Sequence, residues 1–324
     1  MKKIKTIAFY FILYSPITGI VTLALFLLFK TDLPQTIYMS SIRNIYFDCL
    51  EFVDENYLYK AKPEVCELNN IEYNTILSHD QHGFRNKDTS SLADIILIGD
   101  SHTHGVGVND DQTFASILKN KYGHKTKNLG IGSYATKREL EALQAYSNGE
   151  QIVVIQYCNN DFAENISSLE LDLQEFKSRV KTGWKIIAEN YSTQKAQGFS
   201  VPLNDFANRL YAHQYKSKKA FYADVYNRDI KREADVFGKI LSGYPKILSG
   251  KKVIIFESSG HGANHPEFKK EFDTSIKKHS PDLNFVVLDS HSFLTNSDYY
   301  FLDDHLNKKG HDHIAEQLQS ILER

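Results

Sequence analysis

The chain of 324 residues is long enough to bury one sizeable hydrophobic core and too long to be the bare carrier of one motif. Its 38 Lys and Arg residues nearly balance 40 Asp and Glu residues, which leaves a net charge of -2 at pH 7. This balance offers no basic surface to nucleic acid and no acidic tail, so neither DNA nor RNA is expected as a partner.

The first thirty residues depart from this average composition. Residues 7–29 contain no charged side chain, and about 20 apolar residues suffice to span a bilayer core. Lys2, Lys3 and Lys5 precede this stretch, so the positive-inside bias predicts a cytoplasmic N-terminus and an extracytoplasmic remainder, periplasmic in a Gram-negative cell. A cleaved signal peptide is the alternative, but its apolar region is only about 7–15 residues long. We therefore predict an uncleaved single-pass anchor within residues 1–30.

Residues 31–90 form the next predicted unit, a juxtamembrane segment that wraps onto the main domain. The segment is rich in Asn, Asp and Tyr and has little periodicity. Cys49 and Cys66 lie within it, and an oxidising compartment would allow them to pair. Such a bridge would close a loop of about 18 residues and stabilise the fold by about 3 kcal/mol in the chain-entropy model. Two free buried thiols are the alternative.

From residue 91 to residue 324 the pattern becomes regular. Short apolar runs there are typical of strands that are buried on both faces, as in a parallel sheet. These runs are Ile95–Ile98, Ile152–Ile155, Val253–Phe256 and Phe285–Leu288. Predicted helices separate them, including Thr113–Lys121, Lys137–Ser147 and Lys309–Leu322. This alternation, with right-handed crossovers, predicts a three-layer α/β domain.

A charged and aromatic section at about residues 165–250 interrupts this rhythm. It is far longer than an ordinary connection between a helix and a strand. We predict a helical insertion, which either completes the fold or caps the substrate site.

A candidate nucleophile follows the first predicted strand. Gly99-Asp100-Ser101 stands directly after that strand and ahead of the glycine-rich bend Gly105–Val108. Ligands bind beyond the carboxyl ends of strands in open α/β sheets, and the free N–H groups of a helix start can hold an oxyanion. Ser101 is therefore placed for nucleophilic chemistry. A plain N-cap serine would fit the same sequence.

A candidate base with its orienting acid stands near the C-terminus. Asp303-Asp304-His305 precedes the last predicted helix, and a nucleophilic serine needs a base that is itself oriented by a carboxylate. A solvated surface loop is the alternative. His102 and His104 adjoin the serine and are predicted to line the pocket, because no ligand spacing announces a zinc site.

Two further strand ends contain candidate oxyanion donors. Asn160 follows the strand at 152–155, and its side-chain amide can donate a hydrogen bond to a developing oxyanion. An Asx turn that ends the strand is the alternative explanation. Asn128–Tyr134 is another predicted strand-to-helix loop, and a backbone N–H of Gly132 or Ser133 there could complete the oxyanion hole.

These four loops, in this order and each at a strand end, resemble the SGNH/GDSL hydrolase superfamily over roughly residues 80–324. The resemblance implies a flavodoxin-like α/β/α domain with about five parallel strands. It implies a triad of nucleophile, base and orienting acid formed by Ser101, His305 and Asp303. It also implies an oxyanion hole formed by the N–H of Ser101, an N–H of Gly132 or Ser133, and the side chain of Asn160.

Three positions depart from the family pattern. Leu302 stands three residues before His305, where the family usually has aspartate, so Asp303 is expected to orient the base and Asp304 is the second choice. The second of the four loops has a glycine in the family pattern, and here Ser133, beside Gly132, occupies that position. Cys158 replaces a glycine before the Asn-Asp pair and is predicted to be an inert core thiol.

The resemblance implies ester hydrolysis or acyl transfer through an acyl-serine intermediate, without a cofactor or a metal. The external location and membrane tether resemble enzymes that edit acyl groups, often acetyl, on cell-surface glycans. The Gly-Asp-Ser-His opening likewise resembles SGNH domains that accompany polysaccharide O-acetyltransferases. An acylated glycan or another ester is therefore the expected substrate. The alternatives are a lipid esterase or thioesterase with an apolar acyl tunnel, and a non-catalytic membrane-tethered protein that binds carbohydrate or assists assembly.

Overall fold

The computed structural model describes residues 18–24, 49–53, 55–69, 72–86, 92–196, 228–301 and 303–324. Residues 18–24 are helical and are all that is described of the predicted anchor at 7–29. Within the described parts of the chain, no helix has both the length and the apolar character needed to cross a membrane. The rest of the predicted anchor lies outside these parts.

The segment ahead of the main domain contains two small antiparallel sheets that the sequence did not predict. Strand β1 (Leu50–Phe52) pairs with β2 (Tyr59–Ala61), and β3 (Val65–Asn69) pairs with β4 (Asn74–Ser78). A disulfide joins Cys49 to Cys66, with the two Cα atoms 5.9 Å apart. The bridge therefore fastens the start of the first hairpin to β3.

Five parallel strands form the central sheet, as predicted. They are β5 (Ile95–Ile98), β6 (Thr126–Asn128), β7 (Ile152–Tyr157), β8 (Lys252–Glu257) and β9 (Phe285–Val287). Their spatial order is β6-β5-β7-β8-β9, the doubly wound order of flavodoxin-like folds. The order reverses at β5, so the crevice beyond its carboxyl end is the place where such sheets bind ligands.

Helices cover both faces of this sheet and produce the predicted three layers. They are α1 (Ser101–His104), α2 (Phe114–Tyr122), α3 (Thr136–Tyr146), α4 (Asp161–Glu170), α5 (Leu173–Ala196), α6 (Ile230–Ser242), α7 (Pro245–Leu248), α8 (Phe268–His279), α9 (Ser290–Phe293) and α10 (Lys308–Leu322). Helices α4 to α7 occupy the predicted insertion at 165–250, of which residues 197–227 lie outside the described parts.

Alternate residues of strands β5, β7, β8 and β9 belong to two hydrophobic clusters. Ile95 and Leu97 pack with residues of α2 and α10 on one face. Ile96 and Ile98 belong to the other cluster, with residues of α3, α6 and α8. Because these strands are covered on both sides, β5, β7, β8 and β9 read as continuous apolar runs, whereas the edge strand β6 does not.

The second cluster also holds the two N-terminal hairpins. Tyr57, Tyr59, Leu77 and Phe84 are almost fully buried within it. The segment therefore packs onto the α/β domain through its own apolar side chains, which brings its polar residues to the carboxyl edge of the sheet.

Candidate active site

Ser101 is the first residue of α1, directly after strand β5. The Asp100 carboxylate caps the helix by accepting a hydrogen bond from the His102 N–H at 2.9 Å. Gly105, at a φ of 83°, ends the helix after one turn. Ser101 itself is partly exposed, whereas Asp100 is fully buried. The turn thus presents the serine hydroxyl at the sheet edge and holds its flanking residues inside.

Gln156 of the neighbouring strand β7 fixes this turn from below. Its side-chain oxygen accepts hydrogen bonds from the Asp100 N–H at 3.1 Å and from the Thr103 hydroxyl at 3.0 Å. A Cβ at Gly99 would lie 2.2 Å from the Thr103 hydroxyl oxygen and 2.5 Å from the Gln156 oxygen. Only glycine therefore allows the strand to pass this close to the helix.

The base and the acid come together with the serine. His305 Nε2 lies 2.7 Å from the Ser101 hydroxyl oxygen, and His305 Nδ1 makes a short hydrogen bond to Asp303 Oδ1. Asp303 is fully buried, while the Asp304 carboxylate is partly exposed and stands 3.5 Å from the same nitrogen. The geometry therefore favours Asp303, the first choice of the sequence analysis, as the partner of His305.

Charge around His305 controls its protonation. Burial lowers the pKa of His305, but the Asp303 carboxylate and its hydrogen bond, together with Asp304 and Asp100, raise the pKa to about 9. Burial also raises the pKa of Asp100 to about 6. The imidazolium is therefore well stabilised in the resting site, as an acid–base residue requires when it must hold a proton during the reaction.

The loop after β6 contains the backbone N–H donor that was predicted, at Gly132 or Ser133, for the oxyanion hole. Ser133 has a left-handed φ of 61°, where the family pattern has glycine. The Gly132 carbonyl accepts a hydrogen bond from the Tyr59 hydroxyl at 3.0 Å, and the Ser133 carbonyl accepts one from Arg138. In a trans peptide the N–H opposes the carbonyl, so the Ser133 N–H points away from Tyr59.

Asn160 is exposed at the N-terminus of α4, beyond strand β7. Its side chain makes no capping hydrogen bond. The adjacent Asp161 instead ties the turn, because its carboxylate accepts a hydrogen bond from the Cys158 N–H at 3.1 Å. This bond runs from the N–H of residue 158 to the carboxylate three residues later, so it is not an Asx turn, in which the accepting side chain precedes the N–H that donates to it. The amide of Asn160 makes no capping bond and is available as a donor.

Histidines flank the triad without joining it. His102 Nδ1 lies 3.2 Å from the Ser258 hydroxyl, and its ring centroid is 5.2 Å from that of His305. His104 Nδ1 bonds the Gly130 carbonyl at 2.9 Å. Burial lowers the pKa of both His102 and His104 well below the usual value. Both rings are therefore neutral elements of the wall, with hydrogen-bond partners inside the protein.

Two sets of potential metal ligands occur among the described residues. They are Asp100, His102 and Cys158, and Asp303, Asp304 and His305, each with ligand atoms within 4.8 Å of one another. The second set is the triad loop itself. Cys158 is a buried free thiol whose pKa burial raises, as expected of an inert core residue.

Several residues that build the site received no role from the sequence. Asn128 connects the loop after β6 to helix α1, since its side chain accepts a hydrogen bond from the Gly130 N–H and donates one to the Thr103 carbonyl, both at 2.8 Å. Its place at the end of β6 was a usable signal, because side chains there face the same edge as Ser101. His261, in the loop after β8, has a strained φ of 54° and donates its backbone N–H to the Asp304 carbonyl. No spacing in the sequence marks His261.

Arg85, Glu72 and Tyr73 were also missed, and all three come from the N-terminal segment. Arg85 is buried and donates to carbonyls of the nucleophile loop, at His104 and Gly105. Glu72 and Tyr73 contact the loop that contains Asp303. No local motif precedes these residues, so only tertiary structure reveals their position.

A family model described as GDSL-like Lipase/Acylhydrolase matches residues 95–318. The chain belongs to this family, which performs ester hydrolysis or acyl transfer, and it is therefore a serine hydrolase or acyltransferase of the SGNH/GDSL type. No curated protein sequence matches the chain.

Solved structures show only distant similarity. The first is a protein assigned to the G-D-S-L lipolytic family from Desulfitobacterium hafniense DCB-2, with 15% identity, a TM-score of 0.35, and coverage of 70% of this chain and 98% of that one. The second is a protein assigned as a platelet activating factor from Streptococcus pneumonia, with 11% identity, a TM-score of 0.39, and coverage of 73% and 86%. The third is the salicylyl-acyltransferase SsfX3 from a tetracycline biosynthetic pathway, with 14% identity, a TM-score of 0.35, and coverage of 72% and 55%. Because these TM-scores are low, the assignment rests on the family match.

Proposed function

We propose that this chain transfers an acyl group, most simply acetyl, from or to a cell-surface glycan on the outer side of a membrane, with Ser101 as nucleophile. The observation that carries the proposal is the hydrogen-bonded series from Ser101 through His305 to Asp303, with His305 Nε2 only 2.7 Å from the serine oxygen. A serine hydroxyl becomes an effective nucleophile when a base lies within hydrogen-bond reach and a third group orients that base.

In the first half of the reaction His305 Nε2 takes the proton of the Ser101 hydroxyl while its oxygen attacks the ester carbonyl carbon. The carbonyl double bond becomes an oxyanion, and the imidazolium is stabilised by Asp303. When the tetrahedral intermediate collapses, the bond to the leaving alcohol breaks and His305 returns the proton to that oxygen. An acyl-Ser101 ester remains.

Three donors would receive the oxyanion. The Ser101 N–H lies at the start of α1, where backbone N–H groups are unsatisfied. The Ser133 N–H opposes a carbonyl that is already bonded to Tyr59. The Asn160 amide is exposed and makes no capping bond. Fixed donors of this kind stabilise the transition state without reorganisation, typically by about 2.7–4 kcal/mol for one donor.

In the second half of the reaction a hydroxyl group attacks the acyl-serine. His305 removes the proton of the incoming hydroxyl, the oxyanion forms again, and the Ser101 oxygen leaves with the proton from His305. Water as the acceptor releases a free acid, whereas a sugar hydroxyl forms a new ester. The catalytic groups are the same in both cases, so access to the site decides between hydrolysis and transfer.

Three features support an extracytoplasmic site and a small polar substrate. The Cys49–Cys66 disulfide is typical of an oxidising compartment, and the apolar stretch at 7–29 would tether the domain to the membrane. The His102 ring lies beside the His305 ring, and the Asp304 carboxylate stands 3.5 Å from His305 Nδ1; these polar neighbours suit a short acyl group on a sugar better than a lipid chain.

The first experiment labels the full-length protein with a fluorophosphonate probe and identifies the modified serine by peptide mapping. Labelling is expected at Ser101, and Ser101→Ala should abolish labelling and ester turnover together. Ser258→Ala is the matched control, because Ser258 also contacts a histidine but is fully buried. Its labelling and turnover should stay at the wild-type level.

Chromogenic esters of acetate and of a long-chain acid then test the substrate class. The acetyl ester should be turned over much faster, and an acetylated oligosaccharide should lose or exchange its acetyl group. Labelling at a serine other than Ser101 would refute the assignment of the nucleophile. Preference for the long-chain ester would refute the glycan proposal and favour a lipid esterase.

A further inference from the structure

We propose that Glu72 and Tyr73, from the N-terminal segment, are positioning residues for Asp303 and therefore complete the active site from outside the α/β domain. This inference deepens the proposed function, since it concerns the acid that orients His305. The segment between β3 and β4 that contains both residues precedes the region matched by the family model, which begins at residue 95.

Tyr73 holds the oxygen of Asp303 that His305 does not use. Its hydroxyl donates a hydrogen bond to Asp303 Oδ2 at 2.5 Å, while Asp303 Oδ1 bonds the His305 ring and accepts the His305 backbone N–H at 3.1 Å. Both carboxylate oxygens are therefore fixed, so the carboxylate plane cannot rotate without breaking a charge-assisted hydrogen bond.

Glu72 holds the backbone of the same loop. Its two carboxylate oxygens accept hydrogen bonds from the N–H groups of Phe301 and Asp303, both at 2.7 Å. Side-chain and backbone contacts thus converge on Asp303 from two consecutive residues of one segment. A carboxylate that receives two N–H groups at this distance forms a strong and geometrically specific contact.

The loop that contains Asp303 depends on such support. Among its described residues, 299–301 and 303–306, its backbone forms no regular ladder: there is an isolated bridge between Tyr299 and Leu306, and the Tyr300 N–H donates to the His305 carbonyl. A loop without a regular ladder must obtain its remaining hydrogen bonds from neighbouring segments. Glu72 and Tyr73 supply three of these bonds, and the His261 N–H supplies another to the Asp304 carbonyl.

The same pair is also connected to the nucleophile side of the site. The Tyr73 ring packs against Tyr300 with centroids 4.9 Å apart, and the Tyr300 hydroxyl donates to the Gly107 carbonyl at 2.6 Å. A Cβ at Gly107, whose φ is 93°, would lie 2.7 Å from the Tyr300 ring and 3.3 Å from the Tyr73 ring. The bend after α1 thus accommodates both tyrosines. Through these contacts the two rings help to hold the Asp303 loop at a fixed distance from the loop of Ser101.

Tyr73 also tunes the charge that Asp303 presents to His305. Its O–H donates to the carboxylate and draws part of the negative charge toward Oδ2. Without this donor more of the charge would act on the imidazolium, so the pKa of His305 should rise further and the fraction of free base at a given pH should fall. A merely structural contact would have no such effect on the pH profile.

The test compares Tyr73→Phe with Tyr57→Phe in the full-length protein, using the acetyl ester. Tyr57 is the matched control, because its hydroxyl, in the same segment, bonds the Tyr146 hydroxyl at 2.9 Å and not the triad. Tyr73→Phe should lower kcat by about 10-fold to 100-fold with little change in KM, since it removes a hydrogen bond to a charged group. The acid limb of kcat/KM should move to higher pH. Tyr57→Phe should change neither quantity.

Glu72→Gln is the second variant and keeps the size of the side chain. Its amide NH2 would face one of the two N–H donors, so the loop should shift and kcat should fall, with folding confirmed by circular dichroism. Unchanged kcat and pH profile in Tyr73→Phe would overturn the inference. Equal losses in Tyr73→Phe and Tyr57→Phe would overturn it as well, because they would indicate a general effect on folding.

A readout without substrate separates this inference from the proposed function. The proton between His305 Nδ1 and Asp303 should give a low-field resonance in the proton spectrum, absent from His305→Gln. Tyr73→Phe should shift or broaden this resonance, and Tyr57→Phe should leave it in place. If Ser101 is not labelled but the resonance responds in this way, the proposed function fails and the positioning role stands. An unchanged resonance in Tyr73→Phe overturns the positioning role.

Discussion

At the scale of single residues, His305 combines burial with several nearby carboxylates, and their balance determines the pH range in which it can act. Burial disfavours the imidazolium, whereas Asp303, Asp304 and Asp100 favour it and raise the pKa of His305 to about 9. Only the neutral ring can accept the Ser101 proton. Near neutral pH most of the free enzyme is therefore protonated at this position.

We expect kcat/KM to rise with pH along an acid limb with an apparent pKa near 9, falling about tenfold for each unit below it. Asp304→Asn should move this limb to lower pH, because Asp304 is one of the charges that raise the pKa of His305. Initial rates on the acetyl ester measure both. A limb at or below the usual histidine value of 6.5 would contradict the electrostatic description of the site.

The same shift links His305 to stability, and the sign follows from its direction. A pKa raised above the unfolded value contributes stability that is fully present below about 6.5 and is lost as the pH rises through about 9. The difference in unfolding free energy between wild type and His305→Gln should therefore shrink across that range, as urea titrations can show.

Sequence alone could place Ser101, His305 and Asn160 in loops at the edge of the sheet, because each stands in a loop that follows an apolar strand or precedes the last helix. It ranked Asp303 above Asp304 only through the resemblance to the family pattern. Adjacent residues in a loop point in different directions, and burial of one carboxylate against Tyr73 distinguishes them. The partners of Asp303 stayed hidden, since Glu72 and Tyr73 are about 230 residues away along the chain.

At the scale of elements, Arg85 joins the N-terminal segment to the short helix α1. Its guanidinium donates to the carbonyls of His104, Gly105 and Val108, and its Nε pairs with Asp110 at 2.8 Å. Positive charge near the C-terminal end of a helix offsets the partial negative charge of the unsatisfied carbonyls. One buried side chain therefore fixes the shape of the bend that follows the nucleophile.

Arg85→Met should lower the free energy of unfolding by on the order of 3 kcal/mol, because it removes the guanidinium from the buried carbonyls of the bend and leaves the Asp110 carboxylate without its cationic partner. Arg85→Lys should recover only part of this loss, since an ammonium cannot reproduce the planar fork. Urea denaturation measures the change. Arg179→Met on the exposed face of α5 is the control and should stay close to wild type. Equal stability of Arg85→Met and the control would refute this role.

Most strands and helices of the α/β domain could be predicted from the pattern of apolar residues, and the elements that were missed lack such a pattern. Strands β5, β7, β8 and β9 contain apolar residues on both faces, and the helices between them are amphipathic. The edge strand β6, Thr126-Lys127-Asn128, has no apolar run, so hydrophobicity could not identify it. The N-terminal hairpins are short, and tertiary packing of residues such as Tyr57 and Tyr59 stabilises them rather than local pattern.

At the scale of the whole molecule, the disposition of the domain relative to the membrane remains a prediction from residues 1–30. Lys2, Lys3 and Lys5 on one side of an uncharged stretch should keep the N-terminus in the cytoplasm. A reporter enzyme that is active only outside the cytoplasm, fused after Arg324, should therefore be active. A reporter that works only in the cytoplasm, fused at the same place, is the control and should be inactive. The reverse pattern would refute the proposed location.

The contacts of Glu72 and Tyr73 with the Asp303 loop also affect when the active site can form during synthesis of the chain. The Asp303 N–H and the Glu72 carboxylate that accepts it are separated by 231 residues. A ribosome adds about 5–20 residues per second, so roughly 10–50 s pass between the synthesis of Tyr73 and that of Asp303. During this interval the hairpin that contains Glu72 and Tyr73 has no Asp303 loop to contact. Contacts between residues so distant in sequence also form slowly. The active site can therefore assemble only after residues 303–305 have been made, long after the N-terminal segment that supports them.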